Sequence, residues 1–179
     1  MAIPVPDETI LGILAAEPQH GYQLLARFQS KADLGRVWTL STSQLYAVLK
    51  RLEADGLIRG KTVQSGDAPP RREYSLSAAG RRRLDAWLEA PQLSASVRQV
   101  RVQFISRLYV ARMLGRPTQA LVDAQRGVCE KQLGQLQAAH QAAPDMEALV
   151  LDFVIGQLQA VIAWLDHCQE RLVEISPSI

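Results

Sequence analysis

The chain has 179 residues, of which 47% are hydrophobic and 21% charged, with a formal net charge of +2. These proportions are ordinary for a soluble globular protein of one large domain or two small ones. No apolar run approaches the ~20 residues of a membrane span, and no charged segment followed by an apolar stretch opens the chain. Neither membrane insertion nor secretion is expected at this level, and the cytoplasm is the expected location. Cys129 and Cys168 stand in separate segments without CxxC spacing, so both read as reduced, buried cysteines. The charge is unevenly spread. Between Arg36 and Arg83 there are ten Lys or Arg and four acids, whereas from Pro91 onward eight basic residues meet eight acids. A basic half joined to a neutral half suggests a polyanion-binding head on a neutral body.

A first helix is expected from Asp7 to Ala16, ended by Glu17-Pro18, because the residue before proline is pushed out of the α region. A second follows from about His20 to Ser30, with Tyr22, Leu25 and Phe28 as its apolar residues. Residues 33–40 form a connector with Trp38 packed beneath it. Ser41-Thr42-Ser43-Gln44 fits a capping box and Asp55-Gly56 supplies a C-terminal glycine, so a third helix spans Thr42 to Asp55. Residues 57–63 and 72–76 read as strands flanking a turn-rich 64–70 segment with Pro69-Pro70. Ser77 caps a fourth helix that ends before Pro91. Three further helices are expected, at about 96–114, 118–142 and 145–174.

Leu45, Val48, Leu49 and Leu52 project to one face of the third helix and point it at a core. Ser43, Ala47, Lys50 and Ala54 take the opposite direction, flanked by Tyr46 and Arg51. A face that is small at its N-terminal end and basic further along suits entry into a major groove. The small residues allow close approach to base edges, while Lys50, Arg51 and the Tyr46 hydroxyl can reach phosphates, so Thr42, Ser43, Gln44, Tyr46, Ala47, Lys50 and Arg51 are the DNA-binding candidates of this helix. The free N–H groups of the helix N-terminus favour phosphate as well. Lys61, Arg71 and Arg72 beside a proline-stiffened loop fit a wing that follows the DNA backbone. Each feature alone also fits a solvated helix face. Their order (helix-turn-helix, basic hairpin, helix) points to a winged helix-turn-helix over residues 1–90, in a mainly α protein with a small β-hairpin wing.

His20-Gly21-Tyr22-Gln23-Leu24, Leu45-Tyr46 leading into residues 49–58, and the run from Pro70 to Gly80 together resemble the PadR family of transcriptional regulators over about residues 8–90. The C-terminal half resembles the helical extension of longer family members in length and helicity. The resemblance implies a homodimeric regulator, usually a repressor, that binds double-stranded DNA at a dyad-symmetric operator. In several relatives a small aromatic ligand or drug releases the DNA. One departure is Ala47, where the family often has proline after the tyrosine, and it puts family-typical base preferences in doubt.

Residues 91–179 are expected to form a three-helix dimerisation and effector domain. Leu151, Val154, Leu158, Val161, Leu165, Cys168 and Leu172 continue to Ile175 at alternating spacings of three and four, a coiled-coil-like seam. Leu149, Val150, Phe153 and Trp164 widen its apolar surface, so one face packs within the chain and another on a second chain; the alternative is a wholly intrachain bundle. Ala120, Gly127 and Gly134 recur every seven residues and suggest a close helix crossing, or simple tolerance. Arg98, Arg101, Arg107 and Arg112 share a helix that has no acid. They read either as salt-bridge donors to Asp123, Glu130, Asp152 or Asp166, or as an anionic effector site near Phe104 and Tyr109. Trp87, Phe153 and Trp164 could line a ligand cavity or be core.

His20, His140 and His167 form no metal-ligand pattern, no cofactor motif is present, and no catalytic constellation can be named. The sequence therefore reads as a DNA-binding regulator and not as an enzyme. A protein-interaction module without specific DNA binding is the alternative.

Overall fold

The structure is a computed structural model and describes residues 6–64 and 70–174, with residues 169 and 172–174 described by backbone alone. The chain divides into two compact units, one of Met1–Pro91 with Ile105–Arg116, the other of Gln92–Phe104 with Pro117–Ile179. The single division expected at residue 90 is thus replaced by a chain that returns to the first unit. The reason is packing: Ile105–Met113 lies against the first helix, with Val110 fully buried.

In the first unit, α1 (Asp7–Ala16) is central and contacts α4 (Ala78–Glu89), α6 (Ile105–Met113) and strand β3 (Arg71–Leu76). Being covered on several sides, it buries Ile10, Leu11, Ile13 and Leu14 together. Gly12 lies directly under the Val110 methyls, where a Cβ would collide with them. Glu17 is extended before Pro18, as expected. Strand β1 (Gln19–His20) went unread in the sequence, because two residues carry no periodicity. It pairs with β3 through Gln19↔Tyr74 and His20↔Glu73. Helix α2 (Gly21–Gln29) buries Leu24 and Phe28, and the Gln23 side chain accepts the His20 backbone N–H at 2.8 Å. Tyr22, read among the apolar residues of this helix, is 49% exposed. Trp38 is buried and its indole N–H donates to Ser106 Oγ at 2.8 Å.

Helix α3 (Thr42–Ala54) leads through Gly56, at φ 69°, into strand β2 (Ile58–Val63). The antiparallel sheet has the order β1-β3-β2, with Ile58 opposite Leu76 and Val63 opposite Arg71. The hairpin tip read as Ser65-Gly66-Asp67 and Pro69 lies outside the described residues. Ser77 caps α4 as expected: its hydroxyl accepts from Gly80 N at 3.0 Å and donates to Gly56 O at 2.7 Å.

In the second unit, α5 (Val97–Gln99) runs into a π-helical turn (Val100–Phe104). The single helix expected over 96–114 is therefore interrupted, since a π turn shifts the hydrogen-bond register by one residue. Helices α7 (Gln119–His140) and α8 (Asp145–Glu174) pack on each other. Val100, Val102, Phe104, Val122, Cys129, Leu158 and Leu165 form the core, and Phe104 meets Trp164 edge-on at 6.1 Å. The Gln125 amide N–H donates to Ser94 O at 2.9 Å and to Cys129 Sγ at 3.2 Å.

Three expectations change here. Gly127 and Gly134 face open space, so no close crossing within the chain uses them. Both cysteines are free, but only Cys129 is fully buried; Cys168 is half-buried, and loss of hydration pushes its thiol pKa up to about 11. Finally, Asp145–Cys168 is long and apolar enough to match a membrane span by length and composition. The sequence reading missed this because scattered acids break the run of apolar letters.

Candidate nucleic-acid interface

The placement of α3 follows from its own sequence. Ser41 Oγ accepts the Gln44 N–H at 3.2 Å, and Gln44 Oε1 accepts the Ser41 N–H at 2.9 Å. That reciprocal cap fixes where the helix starts. Leu45, Leu49 and Leu52 are completely buried, while Val48 is half-buried at the edge of the same stripe. The stripe fixes rotation about the helix axis, and the rotation leaves Thr42, Ser43, Gln44, Tyr46, Ala47 and Lys50 exposed.

Tyr46 is held by a neighbour that the sequence did not reveal. Gly21 lies beneath its ring, and a Cβ at Gly21 would stand 2.8 Å from Cε1 and 2.9 Å from the hydroxyl. Tyr46 remains 42% exposed. The same turn carries Tyr22, which stacks on His20 with ring centroids 5.5 Å apart. The Arg71 guanidinium lies 5.2 Å from the Tyr22 centroid and donates to its hydroxyl at 3.4 Å. His20 and Tyr22 therefore join the basic hairpin in one exposed aromatic and cationic cluster. The shared His-Gly-Tyr run was the available signal, but no periodicity ties it to the hairpin.

Of the ten residues expected to face DNA, three are tied into a helix cap or a carboxylate ion pair, besides the Arg71–Tyr22 and Ser43–Ser41 hydrogen bonds. The Gln44 side chain belongs to the cap. Arg51 makes a two-pronged bond to Asp7, at 2.8 Å and 2.7 Å, and this pairing raises its pKa. Asp7 is 1% exposed and also receives Arg83 at 3.3 Å, so one buried carboxylate joins the N-terminus of α1 to α3 and α4. Arg72 donates to Glu53 at 2.6 Å, and the same oxygen, Glu53 Oε1, accepts the Gly60 N–H at 2.9 Å. That carboxylate links the end of α3 to both strands of the hairpin. The Arg72 partnership holds the Glu53 pKa below the usual carboxylate range. Burial arithmetic explains the reassignment of Arg51: a carboxylate removed from water needs a partner, and a guanidinium fork supplies two bonds at once. Lys50, Lys61 and Arg71 stay exposed.

The residues nominated for dimerisation lie on α8. Leu158 and Leu165 are buried, and Leu151, Val154, Val161 and Cys168 are half-buried; the Leu172 side chain lies outside the described residues. The most exposed large apolar side chains of α8 are instead Met146, Leu149, Val150 and Phe153, each at least 58% exposed. The regular stripe is thus wholly or partly covered within the chain, Trp164 packs against Phe104, and Leu149, Val150 and Phe153 join Met146 on the outer face.

The effector candidates divide between the two units. In the first, Trp87 lies 4.6 Å from the buried Arg107 guanidinium, whose pKa burial lowers to about 10, and Tyr109 accepts a hydrogen bond from Arg27 at 3.0 Å. In the second, Phe104 and Trp164 touch, Arg101 lines a cavity, and Phe153 is 67% exposed. Most of the salt bridges expected from the 96–114 helix are replaced. Arg116 pairs with Asp85, while Glu130 and Asp166 take Arg126 instead. Among the described residues no cluster of His, Cys, Asp and Glu could hold a metal.

Residues 10–86 match the model of the transcriptional regulator PadR-like family. A protein of Mycobacterium tuberculosis named as a probable transcriptional regulator is 28% identical over 97% of this chain and 99% of its own length. The negative transcriptional regulator PadR of Bacillus subtilis is 26% identical over 88% of this chain and 91% of its own. A crystal structure of that Bacillus protein with operator DNA aligns at a TM-score of 0.49 and 24% identity, covering 93% of this chain and 97% of that one. A second, with p-coumaric acid, aligns at 0.45 and 23%, covering 93% and 96%. The winged helix-turn-helix region, residues 10–86, thus matches the transcriptional regulator PadR-like family, and the chain as a whole is similar to two bacterial transcriptional regulators.

Proposed function

We propose that this regulator is a homodimeric repressor that binds a dyad-symmetric operator and is released by a small aromatic ligand. The observation that carries the DNA part is the outward face of α3. Thr42, Ser43, Tyr46, Ala47 and Lys50 are all exposed, while the opposite leucines are fully buried. Small residues at the helix start allow approach to base edges, and Lys50, Lys61 and Arg71 reach flanking phosphates. Gln44, Arg51 and Arg72 hold the reading head in shape. Tyr22 joins Arg71 as a further backbone contact.

The dimer reading rests on α8, whose exposed Met146, Leu149, Val150 and Phe153 form an apolar face in the single chain. A second copy would remove that face from water. Repression follows the name of the Bacillus relative, a negative regulator. The place of action is the cytoplasm, where operator DNA is found.

The test pairs mass with geometry. Light scattering should give twice the chain mass, and Phe153→Glu should shift it toward one. Duplexes carrying two half-sites 10–10.5 bp apart should bind tightly, and moving them half a turn further apart should weaken binding sharply. A monomer that binds both spacings equally would overturn the proposal.

A further inference from the structure

His20 stands where the sheet of the first unit meets α2. Its backbone pairs with β3 opposite Glu73, and its N–H is held by Gln23 Oε1 at 2.8 Å. Its ring lies on that of Tyr22 with an interplanar angle of 10°. Nδ1 is 3.3 Å from the backbone oxygen of Arg72. A carbonyl oxygen only accepts, so Nδ1 carries the proton of that bond. The two ring nitrogens point to opposite sides of the ring, and among the described residues Nε2 has no hydrogen-bond partner.

The charges around the ring come from several elements. Residues directly opposite on paired strands share a face of the sheet, so His20, Glu73 and Lys61 form one row across β1, β3 and β2. Alternation along β3 puts Arg71 on the same face, where its guanidinium lies against Tyr22. Arg72 turns its side chain to Glu53, and Glu17, two residues before β1, is engaged by Gln19 and Arg27. Tyr46 of α3 sits over Gly21, so the cluster borders the exposed side of that helix.

With its one N–H given to Arg72, a neutral imidazole presents only a lone pair at Nε2, which repels a phosphate oxygen. Protonation turns Nε2 into a donor and adds a positive charge beside Arg71 and Lys61. We propose that His20 is a proton-linked DNA contact, which takes one proton from solvent as duplex DNA binds and donates through Nε2 to a backbone phosphate. The inference rests on the DNA-binding reading of α3 and the hairpin given above. In the free chain Arg71 and Lys61 oppose the added charge and Glu73 favours it. Bound phosphates offset the two cations and so favour the protonated ring. Affinity is therefore higher below the ordinary imidazole range, about pH 6.5, and falls as pH rises through it.

A phosphate contact does not depend on sequence, so the probe is a labelled random-sequence duplex of about 30 bp at low salt. Its affinity for the full chain is read by fluorescence anisotropy from about pH 5.5 to about pH 8.5. The other two histidines, His140 and His167, lie on α7 and α8, so His20 is the single histidine of the first unit. The parent should bind roughly threefold to tenfold more tightly at the acid end, the gain of one exposed charge-assisted contact. H20Q should lose that pH dependence and hold the weaker, high-pH affinity throughout, while H20R should bind tightly at both ends. Calorimetry of the parent with the same duplex, in two buffers of different ionisation enthalpy, counts protons directly and needs no variant to fold. It should show net proton uptake near neutral pH. Equal affinity of the parent at both ends of the range, parental pH dependence in H20Q, or no proton uptake would overturn the inference. If Lys50→Ala still weakens binding in that event, the DNA-binding reading stands without it; no binding by the parent at any pH would overturn both.

Discussion

Arg51 gives the sharpest test of the division between residues that build the reading head and residues that touch DNA. Its guanidinium holds Asp7, a carboxylate 1% exposed, through bonds of 2.8 Å and 2.7 Å. Breaking a buried ion pair by removing one partner costs about 3–5 kcal/mol when the survivor is left uncompensated. Here Arg83 retains a 3.3 Å contact with Asp7, and the Arg51 side chain is 45% exposed, so water can replace part of what is lost. The expected cost of Arg51→Ala is therefore about 2–3 kcal/mol. For a chain of this length that corresponds to a fall in Tm of roughly 4–12 °C. Urea unfolding should show a lower midpoint with an unchanged slope. Adding Asp7→Ala should cost little more, because the orphaned charge is removed, giving a coupling energy of at least ~1 kcal/mol. Additivity within about 0.3–0.5 kcal/mol would refute the reasoning and return Arg51 to the solvent-facing set.

Gly134→Ala should raise stability by about 0.5–1 kcal/mol, since a Cβ there meets open space in the chain; a loss, seen in thermal unfolding, would place that helix face in an interface. Gly12→Ala should destabilise by about 1–3 kcal/mol through overpacking against Val110, and Gly12→Ala with Val110→Ala should recover part of it in the same assay. Glu53 has a lowered pKa, so its contribution to stability is full above the ordinary carboxylate value of 4.5 and is lost as pH falls through the folded value. Glu53→Gln should accordingly be less stable than the parent at pH 7, and the gap in denaturation midpoints should close in acid.

Much of the first unit was legible because its signals are local. Ser41 with Gln44, Gly56 and Ser77 each mark a helix end through bonds to residues three or four places away, and all three act in the structure as read. The leucines of α3 likewise set their own face. What escaped was non-local. Nothing near Arg51 announces that Asp7, 44 residues earlier, will be buried beside it. The strand Gln19–His20 is too short for periodicity and exists because β3 is there to pair with it. The π turn at Val100–Phe104 leaves no pattern in the letters, so one expected helix proved to serve two units. On α8 the regular stripe was visible, but only packing shows that α7 uses much of it and leaves Met146, Leu149, Val150 and Phe153 outside.

The central claim is that Lys50 meets DNA whereas Arg51, one residue on, holds the head together. The measurement that tests it most directly is the slope of log K against log salt for operator binding by the parent chain, Lys50→Ala and Arg51→Ala. Each lost phosphate contact reduces that slope by about 0.9. Lys50→Ala should lose about that amount per half-site with Tm unchanged, while Arg51→Ala should lose stability and keep the parental slope at temperatures where it is folded. A parental slope for Lys50→Ala, with a reduced slope for a stable Arg51→Ala, would contradict the account.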